Sequence, residues 1–289
     1  MKVCGFTIIR NAIKYDYPVV EAIQSVLPLC DKFIVLIGNS EDETEALIKG
    51  IISDKIEIHY SVWDDTLREG GKVLAVETNK AFDLIDQTFD WAIYIQSDEA
   101  IHERYHEAIK KSLLNYKSND KVNGLLLKYL HFYGSYDYVG TSRKWYRNEI
   151  RIIKNDKRIR SFRDAQGFRI NDRKLNVVPV EAFVYHYGWV KDPLIQARKH
   201  KDFNKLWHDD AYVSSIAKEI YNYSDIDALA LFQESHPEVM KQRIEKKNWD
   251  FDGSKITQRA GIKDKFLYWF ENATGIRLFE YRNYTIVKP

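Results

Sequence analysis

At 289 residues, with 44 basic and 42 acidic side chains and a formal net charge of +2, the chain is long enough for one large α/β domain with an appended subdomain and has no global field favouring nucleic acid. Its two cysteines, Cys4 and Cys30, stand outside any CxxC or Cys/His pattern, which excludes a disulfide scaffold and a structural zinc site. The first residues reach Arg10 too soon for a signal sequence, and no run approaches the roughly 18 apolar residues of a spanning helix, so a soluble, cytosolic protein is expected.

Val3 to Ile9 reads as a strand, Pro18 to Leu27 as a helix, and Lys32 to Ile37 as a second strand that ends in the polar run Gly38-Asn-Ser-Glu-Asp-Glu-Thr44. A helix over 44–52, a strand over 56–60, a helix over 73–85 and a strand from Trp91 continue the alternation. Repeated βα units predict a parallel sheet with right-handed crossovers. After about Lys117 the pattern changes. Strands are predicted at 123–132, 149–153 and 177–186, joined by polar segments rich in Arg, Tyr and Gly. From Pro193 the chain turns mainly helical, with helices predicted near 194–207, 212–221, 237–247 and 262–272.

The segment Trp91-Ala-Ile-Tyr-Ile-Gln-Ser-Asp98-Glu99 carries the most chemistry. An apolar run suited to a strand covered on both faces ends abruptly in two carboxylates, and strand tips in open α/β sheets are where ligands bind. A carboxylate held there can take Mg²⁺ or Mn²⁺, hard cations that often share their oxygen ligands with substrate phosphates. The plainer alternative is that Asp98 and Glu99 cap a helix beginning near Ile101. The loop 38–44 sits where a base or ribose can be recognised, although Ser40 and Asp42 also suit helix caps. Downstream, Trp63-Asp-Asp-Thr-Leu-Arg68-Glu-Gly70-Gly71-Lys72 joins two cations to paired glycines, as a phosphate-embracing loop would.

Together, Ile9-Arg10-Asn11, the 38–44 loop, the stretch from Arg68 to Asn79, and Tyr94-Ile-Gln-Ser-Asp98-Glu99 resemble the N-terminal half of a family 2 glycosyltransferase with the GT-A fold, over roughly the first 115 residues. The resemblance implies an α/β, Rossmann-like sheet, mixed but mostly parallel and flanked by helices, with a catalytic domain over 1–190 and a helical extension over 191–289. The donor half would run to about 117 and the acceptor half over 118–190. It further implies a nucleotide-sugar donor, bound by Arg10, Asn11, Asn39, Asp42, Arg68, Lys72, Asn79, Gln96, Ser97 and Asp98. A divalent metal, Mn²⁺ or Mg²⁺, would be held by Asp98 and by His186 of Val184-Tyr-His-Tyr-Gly-Trp189. The sequence departs from the family pattern twice. Ile37-Gly38 stands where a base-reading aspartate is expected, and Gln96 replaces the first carboxylate of the Asp-x-Asp motif.

In inverting relatives an Asp or Glu of the later segment acts as general base. Asp164 is the first candidate and Glu149 the second, with a salt-bridged Asp164 as the alternative. The cations Arg143, Lys144, Arg147, Arg151, Arg158, Arg160 and Arg163 are candidates for a diphosphate-binding wall. Acceptor-side residues are Glu99, His131, Tyr133, Tyr136 and Trp189, although 131–138 equally suits a packed hairpin edge. The expected acceptor is a glycan or lipid-linked saccharide of a bacterial or viral surface polymer. The aromatic tail segments 266–270 and 276–281 suit packing against the domain, a dimer contact, or peripheral contact with the inner face of a membrane. Competing readings are a nucleotidyltransferase, disfavoured because no Gly-rich phosphate loop follows the first strand, and a non-catalytic glycan-binding protein, suggested by Gln96. Oligomeric state is left open.

Overall fold

Seven consecutive buried residues, Val3–Ile9, form the first strand, β1, of a computed structural model that describes residues 1–216, 219–224, 226–256 and 262–287. Side chains alternate across a strand. Val3 and Ile9 therefore join a core with Ile23 and Val26 on one face, while Cys4, Phe6 and Ile8 join Ala81 and Phe82 on the other. The chain continues through α1 (Val19–Val26), β2 (Lys32–Ile37), α2 (Thr44–Lys49), β3 (Ile56–Tyr60), α3 (Lys72–Asp83) and β4 (Trp91–Tyr94). β4 is buried throughout, with Trp91 and Ile93 on the α1 face and Ala92 and Tyr94 on the α3 face. A large aliphatic side chain such as Ile93 contributes about 1.5–3 kcal/mol by leaving water.

The second half adds β5 (Glu99–Ile101), α4 (His106–Tyr116), β6 (Gly124–Tyr133), β7 (Ser135–Gly140), β8 (Asn148–Lys154), β9 (Ile159–Phe162), β10 (Gly167–Ile170) and the 17-residue β11 (Arg173–Trp189). It closes with α5 (Pro193–Asn204), α6 (Asp210–Ser215), β12 (Leu229–Leu231), α7 (Lys241–Glu245), α8 (Ile262–Thr274) and β13 (Tyr284–Ile286). The sheet order is β3-β2-β1-β4-β8-β6-β11-β10-β9. β3, β2, β1 and β4 are mutually parallel, and β8 runs antiparallel between β4 and β6. This is the α/β class with the GT-A-type layout that the sequence resemblance implied.

Several expectations needed revision. The predicted helix start near Ile101 is the short strand β5, held by pairing with β11. The segment 131–138 is the β6–β7 hairpin, turning at Gly134 with φ +73. The extension after residue 190 is not helical throughout, because β12 pairs with β7 and β13 runs parallel to β11. Its α6 spans only 210–215 of the stretch expected to be helical to 221, part of which lies outside the described residues. Both cysteines are buried free thiols. No helix among the described residues is long and apolar enough to cross a membrane.

β1 leads outward to β2 and β3, and α3 returns the chain across β1 to β4. The strand order therefore reverses between β1 and β4, the position at which open α/β sheets bind ligands.

Candidate active site

At that reversal lies a cavity of about 610 Å³. The end of β1 contributes Arg10 and Asn11, the end of β4 contributes Gln96, Ser97 and Asp98, and the end of β11 contributes His186, Gly188 and Trp189. The β9–β10 loop adds Asp164 to Gln166, and α5 adds Lys199.

β11 brings His186 to Asp98. It pairs with β5 so that His186 faces Glu99, and Tyr187 N–H donates to Asp98 O at 2.7 Å. His186 Nε2 then stands 3.8 Å from Asp98 Oδ2. Gly188 keeps the space beside them open, since a Cβ there would lie 2.6 Å from His186 Nε2 and 2.7 Å from Asp98 Oδ2. Burial favours the neutral imidazole and brings the His186 pKa down to about 4, against the pull of Asp98. Asp98 moves the other way. Burial alone would raise its pKa, but Lys199, His186 and Lys191 outweigh that and hold it at about 2.

The tautomer of His186 follows from its neighbour. His131 Nε2 contacts the Tyr146 carbonyl at 2.9 Å, so that nitrogen carries the proton and donates. Burial, with His186 nearby, holds the His131 pKa well below the usual histidine range, and its Nδ1 is consequently a lone pair. His186 Nδ1–H donates to that lone pair at 3.3 Å. The Nε2 lone pair of His186 is therefore turned toward Asp98 and the cavity, the orientation a metal ligand needs. No cluster of three or more ligating side chains occurs among the described residues. A carboxylate and an imidazole nonetheless suffice for Mg²⁺ or Mn²⁺ when substrate phosphates complete the shell. The donor set thus fits the implied cation.

Lys199 stands at the same place. Its Nζ is 3.3 Å from Asp98 Oδ2 and donates to Gly188 O at 3.0 Å. Burial lowers its pKa, opposed by Asp98. An ammonium so placed would compete with a metal for Asp98. Lys199→Gln is accordingly expected to tighten Mn²⁺ binding to the donor-free protein by about tenfold or more, as read by calorimetric titration. Unchanged affinity would show that the ammonium does not compete.

Gln96, where a carboxylate was expected, is a strut. Its Nε2 donates to Ala165 O at 3.2 Å and anchors the loop carrying Asp164. That loop is strained, with Arg163 at φ +58 and Ala165 at φ +60 flanking Asp164. Gly71 lies against it, where a Cβ would come within 2.7 Å of Asp164 Cβ. Gly38, the other departure, sits under Trp63, whose Nε1 would lie 2.4 Å from an added Cβ. Trp63 lines the cavity, and its Nε1–H has no partner among the described residues. Sequence reasoning placed Trp63 and Gly188 only within the stretches 63–72 and 184–189 and gave them no role, and no local motif marks Lys199.

Of the other expected donor residues, Arg68 reaches the cavity and is held by Asp210 at 2.5 Å. Arg10 is bound to Asp65 at 2.5 Å. Asn11, at φ +57, accepts from Glu41 N at 2.7 Å through Oδ1 and ties the β1 end to the 38–44 loop. Four lie outside the cavity. Asn39 Oδ1 accepts from Trp63 N at 3.1 Å, and Asp42 accepts from Lys14 N at 2.7 Å and Thr44 N at 3.1 Å, a turn-capping role. Asn79 accepts from Ser161 N at 2.8 Å and joins α3 to β9, and the Lys72 side chain is exposed at the start of α3.

The acceptor-side set divides similarly. Trp189 lines the cavity. Tyr133 and Tyr136 are buried in separate aromatic clusters, and His131 acts through His186 rather than at the cavity wall. Glu99 is fully buried, accepting from Arg151 Nε at 2.9 Å and Nη2 at 2.8 Å and from the Tyr129 hydroxyl. The expected basic wall does not form at this cavity. Arg151 is taken by Glu99, Arg158 by Asp156 and Arg160 by Asp83, and Arg143 and Arg147 point to Glu271. The cations that line the cavity are instead Arg10, Lys14, Arg68, Lys199 and Lys205, each paired with a carboxylate.

Glu149, the second base candidate, does not line this cavity. Its Oε1 accepts from Gln166 Nε2 at 3.1 Å, and burial, partly offset by Arg151, pushes its pKa up to about 8. The folded state thus holds a proton that the unfolded chain releases above its ordinary value of 4.5. Stability from this group is complete below that value and is lost as pH rises through about 8. Glu149→Gln is expected to remove this component, which amounts to about 1.4 kcal/mol per pH unit across the window. Urea unfolding at pH 5, 7 and 9 checks it: the variant should gain on the parent as pH rises, and parallel profiles would contradict the assignment.

No protein-family model matches the chain, and no curated protein matches it in sequence. Among solved structures the chain is similar to S. aureus TarS, at 13% identity and a TM-score of 0.39, over 75% of this chain and 42% of that one. It is similar to 4-diphosphocytidyl-2C-methyl-D-erythritol synthase from Anaerococcus prevotii, at 13% identity and 0.38, over 74% and 96%. It is also similar to glucosyl-3-phosphoglycerate synthase from Mycobacterium tuberculosis, solved with Mn²⁺, UDP and phosphoglyceric acid, at 17% identity and 0.29, over 45% and 43%. The chain spans under half the length of TarS. The functional reading stands on the geometry of the cavity.

Proposed function

We propose that the protein is a glycosyltransferase that moves a sugar from a nucleotide-sugar donor to a hydroxyl of a glycan or lipid-linked acceptor, with inversion at the anomeric carbon. The observation that carries this reading is the convergence of ionised Asp98 and a neutral His186 with its Nε2 lone pair turned toward it, at the β1/β4 reversal, in a cavity lined by ion pairs that include Arg10, Lys14 and Lys199. Such a cavity suits a diphosphate with a divalent cation.

In this reading Trp63, Arg10 and Asn11 receive the nucleoside. Arg68 and Lys199 face the diphosphate. A cation held by Asp98 and His186 would neutralise charge on the departing diphosphate. Asp164 takes the proton of the acceptor hydroxyl as its oxygen bonds to the anomeric carbon. The bond from that carbon to the diphosphate oxygen breaks with its electron pair leaving on the nucleoside diphosphate. Gln96 and the left-handed residues around Asp164 hold the base in place.

A thermal-shift screen of UDP-, GDP-, dTDP- and CMP-sugars with and without Mn²⁺ tests the reading, because a ligand that binds only the native state raises Tm. One nucleotide class should stabilise the protein, more so with Mn²⁺. No shift with any of them would remove the donor site.

A further inference from the structure

A second cavity, of about 490 Å³, adjoins the first and shares Tyr146 and Gln166 with it as a common wall. Three guanidiniums line it: Arg143, Arg147 and Arg277. Two carboxylates serve them. Arg143 pairs with Glu271, Arg147 pairs with Glu271 at 3.0 Å and Glu280 at 2.9 Å, and Arg277 Nε is left 3.8 Å from Glu271. The cluster therefore carries positive charge in excess. Arg277 is only 8% exposed, yet its Nη2 has no hydrogen-bond partner among the described residues. A buried guanidinium nitrogen left unpaired is costly unless something arrives to accept from it.

Two further buried groups on the same walls are unpaired, Glu149 Oε2 and Asn283 Oδ1. With Gln166 donating to Glu149 Oε1, and the carboxyl protonated at neutral pH, Oε2–H is a hydrogen-bond donor. Asn283 Oδ1 is an acceptor. A donor and an acceptor so placed suit hydroxyl groups, whereas the guanidinium suits an oxyanion. Phe279 and Tyr281, 88% and 62% exposed, add aromatic faces to the lining, as sugar rings require.

We infer that this second cavity is the acceptor site and takes a saccharide bearing an oxyanion, a phosphate or a carboxylate, with Arg277 as its anion contact. The assignment of the acceptor role rests on the donor reading of the first cavity. The shared wall supports it, because Tyr146 and Gln166 line both cavities and Gln166 lies two residues from Asp164 in the chain. Arg277 was not singled out from the sequence. It comes from the 276–281 segment after α8, which the sequence offered only for packing, a dimer contact or a membrane surface.

The test is calorimetric titration of the full chain, saturated with whichever nucleoside diphosphate shifts Tm most, using glucose 6-phosphate, glucuronate and glucose as probes. At least one charged sugar is expected to bind tenfold or more tighter than glucose, and the arm that binds distinguishes phosphate from carboxylate. Arg277→Gln should weaken it at least tenfold while leaving nucleotide affinity within twofold. Lys144→Glu, an exposed change at the same cavity that does not threaten folding, should weaken it at least threefold. Charged sugars that bind no tighter than glucose, or binding indifferent to both variants, would overturn the inference and leave the donor reading intact. If no nucleotide binds, the same titrations run without nucleotide; Arg277-dependent binding would then keep the anion site while the donor reading falls.

Discussion

Asp98→Asn is expected to lower donor turnover by about 10²–10³-fold, the scale on which removing one preorganised electrostatic group acts in other active sites. The substitution keeps the shape and one oxygen of the side chain but removes its charge. In the parent that charge is fully developed, since Lys199, His186 and Lys191 hold the pKa at about 2 against burial. Without it the proposed cation site would keep no charge at Asp98. Steady-state release of nucleoside diphosphate reads the effect, with the Kd for the nucleotide measured in parallel. Full turnover in Asp98→Asn, and also in His186→Ala, would take both residues out of the machinery.

Arg151→Met is expected to cost about 3–5 kcal/mol of stability, because it strands a buried carboxylate. Glu99 and Arg151 are both 0% exposed at the side chain. Their two-pronged contact, with Tyr129 as a third partner, lies where β5, β6 and β8 meet. Burial pushes the Glu99 pKa up even with the guanidinium beside it, so losing that partner favours the protonated acid and weakens the packing further. Combining Arg151→Met with Glu99→Gln should recover much of the loss. Denaturant unfolding of both variants checks this. A small effect of Arg151→Met alone would mean that water or a rearranged side chain reaches Glu99.

That pair also shows where sequence reading stopped. Asp98 and Glu99 are adjacent, yet Asp98 sits in a turn closed by Glu99 N–H donating to Gln96 O at 3.1 Å, while Glu99 begins β5. Asp98 faces the cavity and Glu99 the core, where its partner comes from a strand 52 residues away. The arginine run that read as a diphosphate wall was dispersed: Arg143, Arg147, Arg151 and Arg160 find carboxylates supplied by distant chain, and Arg158 pairs with nearby Asp156. The strands β2 and β3 were legible to the residue because they are continuous apolar or alternating runs between turn signals. β5, β12 and β13 were not, since three residues carry no period and hold their form only through pairing with β11 and β7.

Within the cavity, what was visible were residues that interrupt a pattern: Asp98 ending an apolar run and His186 at the close of a strand. Lys199 lies inside a helix of ordinary polar composition, and only the packing of α5 against the sheet ends brings it to Asp98. His131 was visible as a residue but not in its role, which depends on the Tyr146 carbonyl fixing a proton on the far nitrogen. Gln96 read as a weakened ligand, whereas its amide supports the Asp164 loop.

Product analysis tests the central claim most directly. The protein is incubated with the nucleotide sugar that stabilises it, Mn²⁺, and a pool of charged and neutral saccharides, and the phosphorus-containing products are resolved by ³¹P NMR. Nucleoside diphosphate is expected to accumulate with the parent and to fall by at least two orders of magnitude with Asp98→Asn. Release of pyrophosphate, or nucleoside diphosphate formed equally well by Asp98→Asn, would contradict a transferase centred on Asp98.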